Sequence, residues 1–334
     1  MARARPPVLV TRRLPAEALD RIEARCDMTL HDGDGAMPRD RLLMAVAGKQ
    51  GAITLLTDRV DDEFLNAAGP QLKIVANYAV GFDNIDVDAC SRHGVLASNT
   101  PEVLTETTAD TAFALMLTAC RRIAEGDRFL RSGTPWIWGP LMMLGQDLHH
   151  KTLGVVGFGR IGRALARRAR GFAMRVLYFD TFRPPAEVEQ ELEAEYRDLY
   201  DLLRESDFVS LHTNLTSQTR HLINAERLAI MKPTAVLVNT SRGPVIDEQA
   251  LAQALRTGQI FAAALDVFER EPQVHPDLLG CENAVLIPHL GSATVQTRLA
   301  MANLAADNLF AGLADQKPPT PLNLQAWQQR TSAE

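Results

Sequence analysis

Three charged residues in the C-terminal third of the chain could together move a proton and hold an anion. Arg242 stands in VNTSRGPVID, Glu271 in DVFEREP and His289 in IPHLGSA, each at a strand end or loop. They are 29 and 18 residues apart, so only a folded sheet could gather them. A histidine backed by a carboxylate has its charged form favoured, because the opposite charge stabilises it. Such a histidine can give a proton to a carbonyl oxygen as hydride arrives at carbon, and take it back in the reverse direction. An arginine adds fixed positive charge and a fork of donors suited to a carboxylate beside that carbonyl. Taken singly, the three also read as a surface ion pair, a helix cap and a satisfied loop histidine. Spacing alone leaves that open.

The elements that would position them centre on Lys151 to Asp180, KTLGVVGFGRIGRALARRARGFAMRVLYFD. An apolar strand over 152–156 turns through Gly157, Gly159 and Gly162 into a helix with apolar Ile161, Leu165 and Ala169. A second strand, 176–179, then closes on Asp180. The first glycine lets the chain turn sharply, the second lets backbone amides approach a pyrophosphate, and the third lets helix and strand pack closely. Unpaired N–H groups at the helix start favour a phosphate there. Asp180, 18 residues past Gly162, is placed to accept hydrogen bonds from an adenosine ribose. A lone glycine pattern is weak evidence, but strand, helix and acid together predict dinucleotide binding rather than a plain βαβ turn.

Before this motif the pattern predicts strands over 7–13, 28–30, 52–56, 72–76 and 95–98, with helices over 16–25, 39–46 and 61–68. Strands alternating with helices imply a parallel sheet covered on both faces. The loop 77–86 lies at the carboxyl end of its strand, where open parallel sheets bind ligands. The Val80 and Gly81 amides there could hold a carboxylate. An ordinary strand-to-helix turn capped by Asp83 or Asp86 is equally compatible with this loop. A long connecting helix is predicted over 105–124. The segment GTPWIWGPLMMLG, 133–145, fits neither period, and its apolar content reads as a dimer arm or, failing that, a self-packed loop. After the glycine motif come predicted helices near 198–204, 225–231 and 248–255, and strands 208–212, 235–239, 262–267 and 285–287. A returning helix over 293–312 and an extended strap from Gln316 complete the chain.

A length of 334 residues makes two domains the natural expectation. A net charge of −6 gives no electrostatic reason to expect nucleic-acid binding. The start is basic but lacks the apolar core of a signal peptide, and no apolar run approaches the roughly 18 residues of a membrane span. Cys26, Cys90, Cys120 and Cys281 are scattered and read as free thiols of a reducing, cytoplasmic compartment. Neither they nor His149, His150 and His212 have ligand spacing, so no metal is expected.

The segments NYAVGFDNID, TPEVLTETTAD, GPLMMLGQDLHHKTLGVVGFGRIG, VNTSRGPVID, ALDVFEREP and IPHLGSAT together resemble the D-isomer-specific 2-hydroxyacid dehydrogenase family, most nearly its glyoxylate/hydroxypyruvate reductase branch. The likeness covers almost the whole chain. It implies two doubly wound parallel-sheet α/β domains with a cleft between them. These are a flavodoxin-like substrate domain over 1–100, completed by 294–334, and a Rossmann dinucleotide domain over 101–293 carrying the arm, in a homodimer. It further implies that Arg242 binds the substrate carboxylate, His289 is the acid/base and Glu271 is its partner. Asp266 would hold the nicotinamide carboxamide, and Val80 and Gly81 would bind the substrate carboxylate. Phe158, Arg160 and Ile161 would complete the pyrophosphate turn, while Thr108, Thr240, His289 and Gly291 would contact cofactor. Trp138 resembles a tryptophan brought near the neighbouring subunit's cleft.

Two departures qualify the likeness. Asn214 replaces the proline usual after the histidine at position 212. Asp180 stands where NADPH-using reductases of the branch tend to carry a neutral or basic residue. A carboxylate there repels a 2′-phosphate and predicts NAD(H), although Arg183 is close in sequence. A phosphite dehydrogenase is disfavoured by Val80, where that branch has lysine. Phosphoglycerate dehydrogenase is disfavoured because the substrate loop lacks its basic residue and no regulatory domain follows Gln316. An NAD-sensing, corepressor-like scaffold is the alternative from a different class.

Overall fold

Short strands, most of them buried, alternate with helices along the chain. The computed structural model describes residues 4–33 and 35–331. They divide into two units, one containing residues up to Leu104 and from Ala293 onward, the other Thr105–Ser292.

The first unit opens with β1 (Pro7–Val10), α1 (Ala16–Glu23), β2 (Asp27–Leu30), α2 (Arg39–Val46) and β3 (Gly51–Thr54). It continues with α3 (Asp62–Ala68), β4 (Ile74–Asn77), α4 (Val87–Arg92) and β5 (Leu96–Ser98). All residues of β3, β4 and β5 are buried, as parallel strands covered on both faces require. Asp61 and Asp86 start their helices by accepting the Phe64 and Ala89 amides at 3.1 and 2.8 Å. The strands pair in parallel in the order β2-β1-β3-β4-β5, reversing direction of growth between β1 and β3. This is the flavodoxin-like order.

The second unit begins with α5 (Thr105–Cys120) and α6 (Ile123–Arg131). The single helix expected over 105–124 is therefore two. Arg122 lies between them in the left-handed region with φ 52°, its guanidinium paired to Glu125 at 2.8 and 2.6 Å. Then come β6 (Thr152–Val156), α7 (Arg160–Arg170), β7 (Arg175–Phe179), α8 (Ala186–Leu192), β8 (Ala194–Tyr196), α9 (Leu199–Glu205) and β9 (Phe208–Leu211). The run ends with α10 (Ala225–Ala229), β10 (Val236–Asn239), α11 (Glu248–Arg256), β11 (Ala262–Leu265), α12 (Pro276–Leu279) and β12 (Ala284–Leu286). The seven strands are parallel in the order β12-β11-β10-β9-β6-β7-β8, so the switch point lies between β6 and β9. That is the doubly wound dinucleotide order.

The chain then returns to the first unit as α13 (Val295–Leu313). A Cβ on Gly51 would stand 2.6 Å from Leu309, and one on Gly312 2.5 Å from Ile74, so glycine at both places lets α13 lie close on the sheet. The strap expected from Gln316 is extended only in part. Pro321 bridges Ser98, Leu322 donates to the Ala97 carbonyl at 2.7 Å, and Asn323 holds the Ala97 amide and Val95 carbonyl. These residues cover the exposed edge of β5. A helix, α14 (Leu324–Thr331), follows instead of more strap. The four cysteines are buried free thiols. Among the described residues no helix is long and apolar enough to cross a membrane.

Candidate active site

At the switch point of the seven-stranded sheet, β6 runs into the glycine turn. Gly157 has φ +93°, and a Cβ there would meet the His212 carbonyl oxygen at 2.6 Å, so a side chain is excluded both by conformation and by the loop after β9. A Cβ on Gly162 would stand 2.2 Å from the Gly157 carbonyl oxygen, which is why helix and turn need glycine there. A Cβ on Gly159 would meet nothing within 4 Å. That open space lies at the start of α7, where Gly159 makes no side-chain cap and Arg160 and Ile161 begin the helix. Backbone amides at such a terminus suit a pyrophosphate, so the residues fit a dinucleotide. Thr240, after β10, adds a buried hydroxyl for which no hydrogen-bond partner is found among the described residues.

Asp180 is tied to this turn. Its Oδ2 accepts the Phe158 amide at 2.6 Å and its Oδ1 accepts the Phe182 amide at 3.0 Å. One amide of the turn therefore orients the acid. The Phe158 ring stacks on Tyr178 with centroids 4.1 Å apart, which packs the turn against β7.

The proton-transfer candidates gather in the same unit. His289 Nδ1 lies 2.9 Å from Glu271 Oε2, while Glu271 Oε1 accepts the Phe268 amide at 3.0 Å. Burial pushes the Glu271 carboxyl up, but the bonds to His289 and Phe268 and the charges of His289 and Arg242 outweigh it. They hold the group below the ordinary glutamate value. Glu271 is thus kept ionised as a partner for an imidazolium. With Nδ1 turned to Glu271, Nε2 is the nitrogen left to meet a substrate.

Asp266 fixes the segment that carries His289. Its side chain is fully buried and accepts the Leu290 and Gly291 amides, and its carbonyl accepts the His289 amide at 2.8 Å. Burial raises the Asp266 carboxyl above the usual range, against the pull of those two amides. Gly291 packs on Asp266 and on Thr108 of α5; a Cβ there would stand 2.9 Å from Asp266 Oδ2 and 3.4 Å from Thr108 Cγ2. Thr108, Asp266 and Gly291 are therefore one cluster.

Arg242 follows β10, its carbonyl held by Asn239 Nδ2 at 2.9 Å. The next residue must be glycine. A Cβ on Gly243 would sit 1.8 Å from the Phe268 carbonyl carbon, so the absence of one lets the arginine loop lie against the loop that leads to Glu271.

Val80 and Gly81 lie in the other unit, in the loop after β4. The Ala79 carbonyl accepts the Thr100 amide at 2.8 Å, and the Val80 carbonyl accepts Asn99 Nδ2 at 2.7 Å. In a trans peptide the N–H points opposite to the C=O. Both tethers thus turn the Val80 and Gly81 amides away from 99–100, presenting two donors on one side. Asn77 Nδ2 holds the Gly81 carbonyl at 3.0 Å, and Asn84 Nδ2 holds the carbonyls of Leu55 and Asp58 at 3.0 and 2.9 Å. Asp86 caps α4, so the cap and the amide pair coexist in this loop. Sequence reading did not single out Asn77, Asn84 and Asn99. Asparagines clustered at strand ends are the one signal that could have marked them.

Among the described residues no group of three or more His, Cys, Asp or Glu side chains could hold a metal ion.

Residues 113–291 match the D-isomer specific 2-hydroxyacid dehydrogenase, NAD binding domain. A glyoxylate reductase of Thermococcus onnurineus is 49% identical over 324 residues, 96% of each chain. A crystal structure of a Thermus thermophilus protein superposes with a TM-score of 0.89 at 44% identity, covering 95% of this chain and 99% of that one. The NADPH-dependent glyoxylate/hydroxypyruvate reductase of Sinorhizobium meliloti, solved with NADP and malonate, gives 0.82 at 32% identity over 96% of this chain and 97% of its own. With two parallel α/β sheets, a glycine turn shaped for a dinucleotide, and this likeness along its whole length, the chain belongs to the D-isomer-specific 2-hydroxyacid dehydrogenase family and is an NAD(P)-dependent enzyme of that kind.

Proposed function

We propose that the protein reduces a small 2-keto acid of the glyoxylate or hydroxypyruvate type to the D-2-hydroxy acid, with NADH preferred over NADPH. The observation that carries this reading is the 2.9 Å contact between His289 Nδ1 and an ionised Glu271. When bound, the dihydronicotinamide supplies the hydride that adds to the carbonyl carbon. His289 gives its Nε2 proton to the carbonyl oxygen, which becomes the hydroxyl, and Glu271 stabilises the imidazolium beforehand. Arg242 and the Val80 and Gly81 amides bind the substrate carboxylate, and the Arg242 charge also draws electron density toward the carbonyl oxygen. Asp266 serves the carboxamide end of the cofactor with Thr108 and Gly291, and Thr240 joins the glycine turn at its phosphates. In this reading residues 1–100 with 294–334 form the substrate domain and 101–293 the cofactor domain.

The NADH preference rests on Asp180, whose carboxylate suits a ribose hydroxyl and repels a 2′-phosphate. The named relatives support the choice of glyoxylate. Homodimer formation rests on the segment 133–145, where Ile137, Trp138 and Leu141 are 92, 76 and 80% exposed.

The test is oxidation of NADH and NADPH, side by side, against glyoxylate, hydroxypyruvate, pyruvate and 2-ketogluconate. Phosphite plus NAD is run in the opposite direction. Fast NADH turnover with glyoxylate or hydroxypyruvate is expected. Tight NADH binding without turnover of any of them would turn the reading toward a dinucleotide-sensing scaffold.

A further inference from the structure

We infer that Glu189 reinforces the cofactor preference set by Asp180, by holding the Arg183 guanidinium in an ion pair, out of service to a 2′-phosphate. The inference rests on the NADH reading above and names a residue that supports it.

Arg183 lies three residues beyond Asp180, on the segment leaving β7, and is the cation nearest in sequence to the ribose-binding acid. A mobile arginine here would reach for the phosphate that distinguishes NADPH, since a guanidinium fork matches phosphate oxygens. Its fork is already engaged. Nε and Nη2 meet the two carboxylate oxygens of Glu189 at 2.8 and 3.1 Å, and the guanidinium lies 5.5 Å from the centre of the Tyr196 ring.

Glu189 is the anchored member of the pair. Its side chain is 15% exposed against 63% for Arg183, and it also accepts the phenol of the buried Tyr178. Tyr178 stacks on Phe158 of the glycine turn, and the Phe158 amide is held by Asp180. The acid that neutralises Arg183 is thereby built into the same frame as the acid proposed to meet the ribose. A 2′-phosphate arriving beside Asp180 meets one carboxylate and a cation whose charge is already balanced. A ribose hydroxyl needs no cation, so NADH loses nothing.

The experiment is a titration of NADH and NADPH, followed by nicotinamide fluorescence, on the wild type and on Glu189→Gln, Arg183→Gln and the double variant. Because binding is read directly, the result does not depend on turnover. Glu189→Gln should tighten NADPH about tenfold, the scale of one charge-assisted hydrogen bond. NADH should stay within about twofold, and the NADPH gain should vanish in the double variant. Arg183→Gln alone should leave NADPH affinity within about twofold, because in the wild type the guanidinium is committed elsewhere. That variant alters an exposed side chain and keeps the test alive should Glu189→Gln fail to fold. An unchanged NADPH/NADH ratio in Glu189→Gln overturns the inference. So does a gain that survives in the double variant, or a large NADPH loss in Arg183→Gln. A wild type that binds neither nucleotide, or prefers NADPH, overturns the NADH reading and this inference with it.

Discussion

His289 and Glu271 stand 2.9 Å apart, Nδ1 to Oε2, and the second oxygen of the same carboxylate accepts the Phe268 amide. The acid is therefore held in place by the backbone before any substrate arrives, and its one remaining task is to face the imidazole. His289→Ala is expected to lower kcat by about 10²–10⁴-fold with NADH affinity nearly unchanged, as loss of a general acid does. Glu271→Gln removes the carboxylate charge that His289 Nδ1 contacts at 2.9 Å, so kcat should fall while NADH affinity stays nearly unchanged. Steady-state kinetics across pH, with NADH binding measured in parallel, checks both. Near-normal turnover in His289→Ala would remove the assigned role.

Asn99 Nδ2 holds the Val80 carbonyl at 2.7 Å, so in the proposed function it would act on the substrate only through that peptide. Asn99→Ala frees the Val80 carbonyl and with it the direction of the Gly81 amide. The expected result is a KM for the keto acid raised about tenfold, the scale of one donor to a carboxylate, with NADH affinity unchanged. Equal losses in keto-acid and NADH binding would point to general disorder of the unit instead.

His212 predicts a pH dependence of stability. Its Nε2 lies 2.9 Å from Ser210 Oγ, its Nδ1 is buried, and burial pushes the imidazole from 6.5 down to about 4. The folded value is below the unfolded one, so between about pH 6.5 and 4 the unfolded chain binds the proton more readily. Stability is complete above that window and declines as pH falls through it. The linkage amounts to about 2 kcal/mol between pH 7 and pH 5. Urea unfolding of the wild type and His212→Gln at the two pH values should show the smaller decline in the variant. Equal declines would reject His212 as the source.

The arm predicts an assembly. Replacing Ile137 and Trp138 together by aspartate puts charge on side chains that are 92 and 76% exposed in the isolated chain, so folding should be untouched. Sedimentation equilibrium should give a dimer for the wild type and a monomer for the variant. A monomeric wild type would end the dimer reading.

Much of the local structure was legible in the sequence. The glycine turn, its flanking strands and Asp180 could be read because each signal is carried by neighbours a few residues apart. Glycine sets φ, apolar runs set burial, and a helix start sets where amides are left over. The helix over 39–46 was likewise read to its ends. The break after Cys120 was not legible, because nothing in the apolar period marks Arg122 as left-handed; its ion pair with Glu125 accompanies the break. The helix after Asn323 was masked by the prolines before it.

What the sequence determined by itself is the alternation of strands and helices, the phosphate-shaped turn, and an inventory of residues able to move a proton. The tertiary structure alone decided which of them meet. Sheet order places the ends of β10, β11 and β12 side by side, and so brings Arg242 near enough to act on the charge of Glu271, and Glu271 onto His289. It also set Asn99 behind Val80, and turned Arg183 onto Glu189. These pairings depend on strand register and loop path summed over many residues. No short window of sequence carries that sum, because the free energy that selects it comes from burying the whole sheet at once.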